Sequence, residues 1–322
     1  MQLKKWMASL FLTLLFLTCP AIGKTTTSED TISSSSSTNL TPECECAVSQ
    51  KNKKENPYGI SKRPFQWTFA VAMIFQDEAP YLKEWIEFHK LMGAEHFYLY
   101  NNLSTDNYFD VLYPYIVSGE VELIEWPHKP ESLSEWNAFQ CIAYQDALKK
   151  AKGKTKWLAI LDSDEFLVPV YDDNIIHLLS RYDKKNIGGV LGYWIVFGTS
   201  FVKKIPENQL LIENLVLNGG PGKNHYKTII QPSKVQDILN PHFAVYKKGF
   251  EHVAVPQSEL QINHYWTRDE WYLFNFKIPR REKWGTSSEI SVQWATASNN
   301  DTNEGKVILR FVEQLRRLMN YD

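Results

Sequence analysis

Between Trp67 and Val168, apolar strand-like runs alternate with stretches whose apolar residues recur at helical spacing. This alternation restricts the chain to an α/β architecture with a parallel sheet covered by helices. Residues 67–75 (WTFAVAMIF) read as a buried strand. Leu82, Trp85, Ile86, His89 and Met92 then follow a helical period, with Asp77 as a candidate cap, Pro80 in the first turn and Gly93 as the stop. Residues 96–100 (HFYLY) predict a second strand, about 106–117 a second helix and 120–125 a third strand. Ser132 and Glu135 have capping-box spacing for a long helix ending near Gly153. A fourth strand comes next in "WLAILDSDEF" (157–166). Right-handed crossovers put all four strand C-termini on one edge, where ligands of open α/β sheets bind.

That edge carries the chemistry. Asp162, Asp164 and Glu165 fall within four positions at the end of the fourth strand. Unpaired, these carboxylates repel one another and at least one pKa rises. A divalent cation removes the conflict, and hard oxygen ligands suit Mn²⁺ or Mg²⁺, with substrate phosphates completing the shell. The plainer alternative is a polar turn in which Asp162 caps the next segment. Three enzyme classes place such a cluster after a strand. A phosphatase of the haloacid dehalogenase type has Thr or Val where Phe166 stands here. A nucleotidyltransferase needs a glycine-rich phosphate loop, for which no convincing segment exists. A glycosyltransferase of the GT-A type holds a cation against a nucleotide-sugar diphosphate.

The remaining features set the context. The net charge of −2 gives no nucleic-acid footprint. Residues 1–23 have basic, apolar and small-residue parts in the order of a signal peptide or signal anchor, so membrane attachment through this segment is possible. Residues 24–62 are rich in Ser and Thr and read as a disordered stem, leaving 63–322 as the folded domain. Cys44 and Cys46 are too close for an easy mutual bridge, and Cys141, in a helical pattern, reads as a buried free thiol. Asn39, Asn102 and Asn300 begin glycosylation sequons, which matter only in a eukaryotic secretory pathway.

Five ordered segments carry a resemblance. "MIFQDEAPYLKEWIEFHKLMGAEHFYLYNN" (73–102), "LAILDSDEF" (158–166), "YWIVFGTSF" (193–201), "HYKTIIQPSKVQDILNPHF" (225–243) and "LQINHYWTRDEWY" (260–272) resemble the motifs of glycosyltransferase family 92 and its bacterial relatives. The match covers roughly 65–285. It departs at Gln76-Asp77-Glu78, at Asn101-Asn102 and at Arg268-Asp269, where the family commonly has Lys-Asn-Glu, Asp-Asn and Lys-Ser. The resemblance implies a GT-A-type fold, a mostly parallel Rossmann-like sheet with flanking helices. It also implies transfer of a hexose, galactose favoured, from a UDP-sugar donor to a glycan acceptor. Asp162, Asp164 and His264 are then the expected metal ligands. Asp77, Glu78, Asn102, Asp162, Lys227, Arg268 and Arg281 are expected around the nucleotide-sugar, with Arg280 also available for the diphosphate. An inverting transfer needs a base, and Asp269, Glu270, Glu165 and His242 are available, the first two favoured. Trp194 and Phe197 are candidates to pack on the acceptor, with core packing as the alternative. The other class of reading is a secreted carbohydrate-binding protein on a degenerate scaffold. The N-terminal segment directs the chain to the secretory pathway or out of the cell: the Golgi in a eukaryote, the periplasm or beyond in a bacterium.

Overall fold

A computed structural model describes residues 64–287, 289, 292–293 and 302–321. The expected signal and stem, 1–23 and 24–62, lie outside the described residues, as do Asn39 and Asn300. No helix among the described residues is long and apolar enough to cross a membrane.

The first four strands are β1 (Trp67–Phe75), β2 (His96–Asn101), β3 (Val121–Glu125) and β4 (Thr155–Ile160). They pair parallel in the spatial order β3-β2-β1-β4. Helices α1 (Ala79–Leu91), α2 (Tyr108–Val117) and α3 (Leu133–Ala151) make the crossovers. The uninterrupted apolar character of β1 has a direct cause. Phe69, Val71, Met73 and Phe75 enter one core cluster, and Ala70, Ala72 and Ile74 enter the cluster on the opposite face. A strand buried on both sides cannot alternate with polar residues.

Beyond β4 the sheet becomes mixed. The later strands are β5 (Glu165–Pro169), β6 (Ile187–Phe197), β7 (Leu217–Ile230), β8 (Val235–Asn240), β9 (Phe243–Tyr246), β10 (Glu251–Ala254) and β11 (Leu260–His264). β7 pairs antiparallel with β4 and with β6, β11 runs parallel to β6, and β5 closes the order antiparallel to β11. β8 and β9 form a separate hairpin. A short helix, α4 (Ile175–Tyr182), comes after β5.

Local signals were met with four corrections. Gly93 stops the first helix at φ +97°, a conformation that favours glycine. Asp77 does not cap that helix: the residue before it is Glu78, and the Ala79 N–H donates instead to Asp106. Asp77 turns away, at φ +52°, and accepts from the Thr105 N–H at 2.7 Å. Ser132 caps α3 by accepting from the Glu135 N–H, but the Glu135 carboxylate accepts from Glu131 rather than completing the box. Cys141 is disulfide-bonded rather than a free thiol. Asn102 is buried, and its side-chain amide donates to the Trp126 and His128 carbonyls, so it is no glycan acceptor.

Candidate active site

The carboxylate cluster is a turn, not a continuing strand. β4 ends at Ile160. The Glu165 N–H donates to the Asp162 carbonyl at 3.1 Å, and the Asp162 N–H donates to the Glu165 carboxylate at 2.8 Å. The chain then reverses into β5, whose Glu165 is registered against His264 at the end of β11. The sheet thus sets the acid turn beside the histidine.

Each aspartate has met an ammonium. In the β4–β7 register Ala159 faces Ile229; continued, it puts Lys227 opposite Leu161, next to Asp162. The fully buried Lys227 donates to Asp162 Oδ2 at 2.8 Å and lies 3.5 Å from Glu165. Gln140 and Tyr144 reach Asp162 Oδ1 at 3.3 Å. Burial would lower the Lys227 ammonium, but Asp162 and Glu165 outweigh it and hold it above its ordinary value. Glu165 goes the other way: burial, reinforced by Asp162, pushes its carboxyl well up.

Asp164 faces the opposite direction. Its Oδ1 lies 3.3 Å from His264 Nε2, and its Oδ2 accepts from Lys277 at 2.8 Å. Burial would raise Asp164, but Lys277 and His264 hold it well below the usual carboxylate range. Lys277 ends a π-helical turn, Leu273–Lys277, between the one-turn helix α5 (Glu270–Tyr272) and α6 (Ile278–Lys283). Such turns are uncommon and recur at functional sites. Burial outweighs Asp164 at Lys277 and lowers that ammonium. Lys277 is the residue that sequence reasoning misses. Nothing in its local pattern separates it from a solvated helix lysine.

The other expected contacts divide. Arg268 is buried, at φ +52°, between the rings of Tyr81 and Tyr272, 3.6 and 4.6 Å from their centroids. It pairs with Glu78 and donates to the Ser163 carbonyl at 3.3 Å. Tyr272 and Arg280 also hold Glu78. Arg268, Glu78 and Arg280 therefore brace the acid turn against the loop after β1. Arg281 lies over the Trp266 ring, 5.7 Å from its centroid, with its guanidinium pushed down to about 10 by burial. Asp269 caps α5: its two oxygens accept the N–H groups of Tyr272 and Ile205. Glu270, the next residue, is half-buried. His242 has its Nδ1 3.2 Å from the Tyr226 carbonyl, and burial, then Lys227, push it down to about 3.

Asp164 and His264 are spaced as two ligands of one divalent cation would be. Adjacent ligands on an octahedral ion with bonds of about 2.1 Å stand about 3 Å apart, close to the 3.3 Å between Asp164 Oδ1 and His264 Nε2. The buried His264 Nδ1 has no hydrogen-bond partner among the described residues. Among the described residues no group of three or more His, Cys, Asp or Glu side chains could hold a metal. Such an ion would therefore need oxygens from elsewhere. Asp162, with its Oδ2 on Lys227, is not grouped with this pair.

The model for glycosyltransferase family 92 matches residues 66–309. The chain belongs to glycosyltransferase family 92. A family 92 protein of Oryza sativa is 27% identical over 223 residues, covering 66% of this chain and 35% of the relative. One from Arabidopsis thaliana is 25% identical over 243 residues, covering 71% and 39%. The family 92 chain thus spans little more than a third of the curated relatives it matches. Similar solved structures include S. aureus TarS 1-349, with 10% identity, TM-score 0.38, and coverage of 77% of this chain and 73% of that one. Another is the mannosyltransferase PcManGT from Pyrobaculum calidifontis in complex with GDP-Man and Mn²⁺, with 11% identity, TM-score 0.36, and coverage of 82% and 84%. The family 92 chain has the α/β fold expected of it, a large sheet whose first four strands are parallel, with flanking helices.

Proposed function

We propose that the protein is a metal-dependent, inverting glycosyltransferase that moves a hexose, with galactose favoured, from a UDP-sugar to a hydroxyl of a glycan acceptor. Family membership supports the reaction class. The observation that carries the reading is the Asp164–His264 pair at the ligand-binding edge of the sheet, with Lys277 beside it. Asp164 and His264 would hold Mn²⁺ or Mg²⁺, and the ion would supply charge neutralisation for the departing diphosphate. Lys277 and Arg281 are assigned to phosphate oxygens, Lys277 exchanging its pairing with Asp164, while Lys227 and Arg268 hold Asp162 and Glu78. Asp162 and Asp77 are assigned to the nucleoside, and Glu78 and Asn102 to holding the loops that face it.

Glu270 is assigned as the base that takes the acceptor proton. Asp269 is spent on backbone N–H groups, Glu165 is fully buried against the Asp162 N–H and Lys227, and His242 is half-buried with its Nδ1 against the Tyr226 carbonyl. The disulfide of Cys141 supports an oxidising compartment, in keeping with the secretory or exported route inferred for residues 1–23.

The test is UDP release by the full chain from UDP-galactose and other UDP-sugars with Mn²⁺, with EDTA and Asp164→Ala as controls. Turnover that both controls abolish is expected, with an inverted anomeric centre in the product by NMR. A chain that neither binds UDP nor turns over any UDP-sugar refutes the proposal. One observation favours the carbohydrate-binding alternative: both aspartates are already neutralised by lysines. That alternative requires glycan retention with no donor binding.

A further inference from the structure

The aromatic residues expected at the acceptor are packed against other rings. Trp194 lies between His225, stacked at 5.2 Å, and His264, tilted at 4.1 Å. Phe197 is buried against Tyr265. Exposed rings occur nearby instead. Phe201 is 70% exposed, Phe274 59% and Trp271 42%.

These rings belong to two segments tied together. The Glu270 N–H donates to the Val202 carbonyl at 3.0 Å, and the Trp271 N–H to the Lys203 carbonyl at 2.9 Å. Phe276 packs on Trp271 with ring centroids 5.1 Å apart, and Lys204 Nζ lies 4.6 Å from the Trp271 ring centroid. The loop carries a conformational cost as well. Ser200 and Phe201 have φ of +51° and +60°, unfavourable for residues with a Cβ. Thr199 Oγ1 accepts from the Phe201 N–H and Ser200 Oγ from the Leu217 N–H, fixing a backbone that leaves the Phe201 ring in solvent. Packing does not account for that arrangement.

We propose that Phe201, Trp271 and Phe274 form the platform that receives the glycan acceptor, a role that rests on the protein being a transferase. A pyranose offers a face of C–H bonds that packs on an aromatic ring, while its hydroxyls bond to groups at the rim, here Lys203 and Lys204. Continuity with the donor site favours a glycan. Lys277, three residues after Phe274, bonds Asp164, and Tyr272, next to Trp271, bonds Glu78. An acceptor held here adjoins the place of transfer. Exposed aromatics with lysines also suit a lipid surface, which the test must separate.

The full chain is passed over sensors bearing galactose-, glucose-, mannose- and N-acetylglucosamine-terminated oligosaccharides, and over phosphatidylserine vesicles. UDP affinity is measured alongside by calorimetry. At least one oligosaccharide is expected to bind, and Trp271→Ala with Phe274→Ala to weaken it about tenfold or more, with UDP affinity unchanged. Phe201→Gly relieves the left-handed backbone, so it should weaken glycan binding while Tm stays at or above that of the parent. Undiminished glycan binding in these variants overturns the platform. So does binding to no oligosaccharide on the panel, or loss confined to vesicle binding. Failure of UDP binding in the parent, with patch-dependent glycan binding intact, overturns the transferase reading alone.

Discussion

Asp162 and Asp164 stand two residues apart and each accepts from one lysine at 2.8 Å, yet the two pairs do different work. Lys227 rises from the middle of the sheet, is fully buried, and is shared between Asp162 and Glu165. Lys277 comes from a turn at the edge of the fold, keeps 15% of its side chain exposed and has one carboxylate partner. The surroundings hold the first ammonium up and pull the second down. The ammonium is fully enclosed in one pair and partly exposed in the other. Geometry at 2.8 Å does not distinguish them; burial and the number of partners do.

The contrast can be tested at four strengths. Asp164→Asn keeps the shape but removes the charge, and should cost about a thousandfold in UDP-sugar turnover with little change in stability. Comparable activity in Asp164→Asn and parent would break the distinction. Lys227→Met strands buried Asp162 and Glu165, and chemical denaturation should show a loss of about 3 kcal/mol. Adding Asp162→Asn should recover part of it. Lys277→Met should leave stability within about 1 kcal/mol while weakening UDP binding about tenfold by calorimetry. A variant that melts early instead would make Lys277 scaffold too.

A pH-dependent effect concerns His89, which supports the scaffold side. Its Nδ1 lies 2.8 Å from the Trp85 carbonyl and its Nε2 accepts from the Leu167 N–H in β5, an arrangement for a neutral ring. Burial pushes it down to about 3 from 6.5. Because the folded value is the lower one, this stability is present above pH 6.5. It is lost as pH falls from 6.5 towards 3, at about 1.4 kcal/mol per unit. His89→Gln should flatten the stability profile in that window; an unchanged slope would exclude His89 as its source.

The first half of the fold was legible because each strand announces itself locally. WTFAVAMIF and HFYLY are buried on both faces, and Gly93 and Gly153 mark helix ends. The acid turn was legible for a related reason, since three carboxylates after an apolar run have no place in a core. The mixed half was not, because β5, β7 and β11 are joined by pairings between residues far apart in the chain. Lys227 and Arg268 looked like phosphate ligands since nothing local reveals that Asp162 and Glu78 already hold them. Lys277 was overlooked because only the turn geometry brings it to Asp164.

That turn has a consequence for how the sequence can change in length. A π-helical turn holds one residue more than an α-helical one. Deleting one residue between Leu273 and Lys277 would let ordinary helical winding complete the same turn with one residue fewer, so α6 would keep its heading, whereas winding all five residues as ordinary helix would turn α6 by roughly a quarter turn and carry Arg280 away from the Gln76 carbonyl and Lys277 from Asp164. The wide winding of this stretch is what places α6 and Lys277 together.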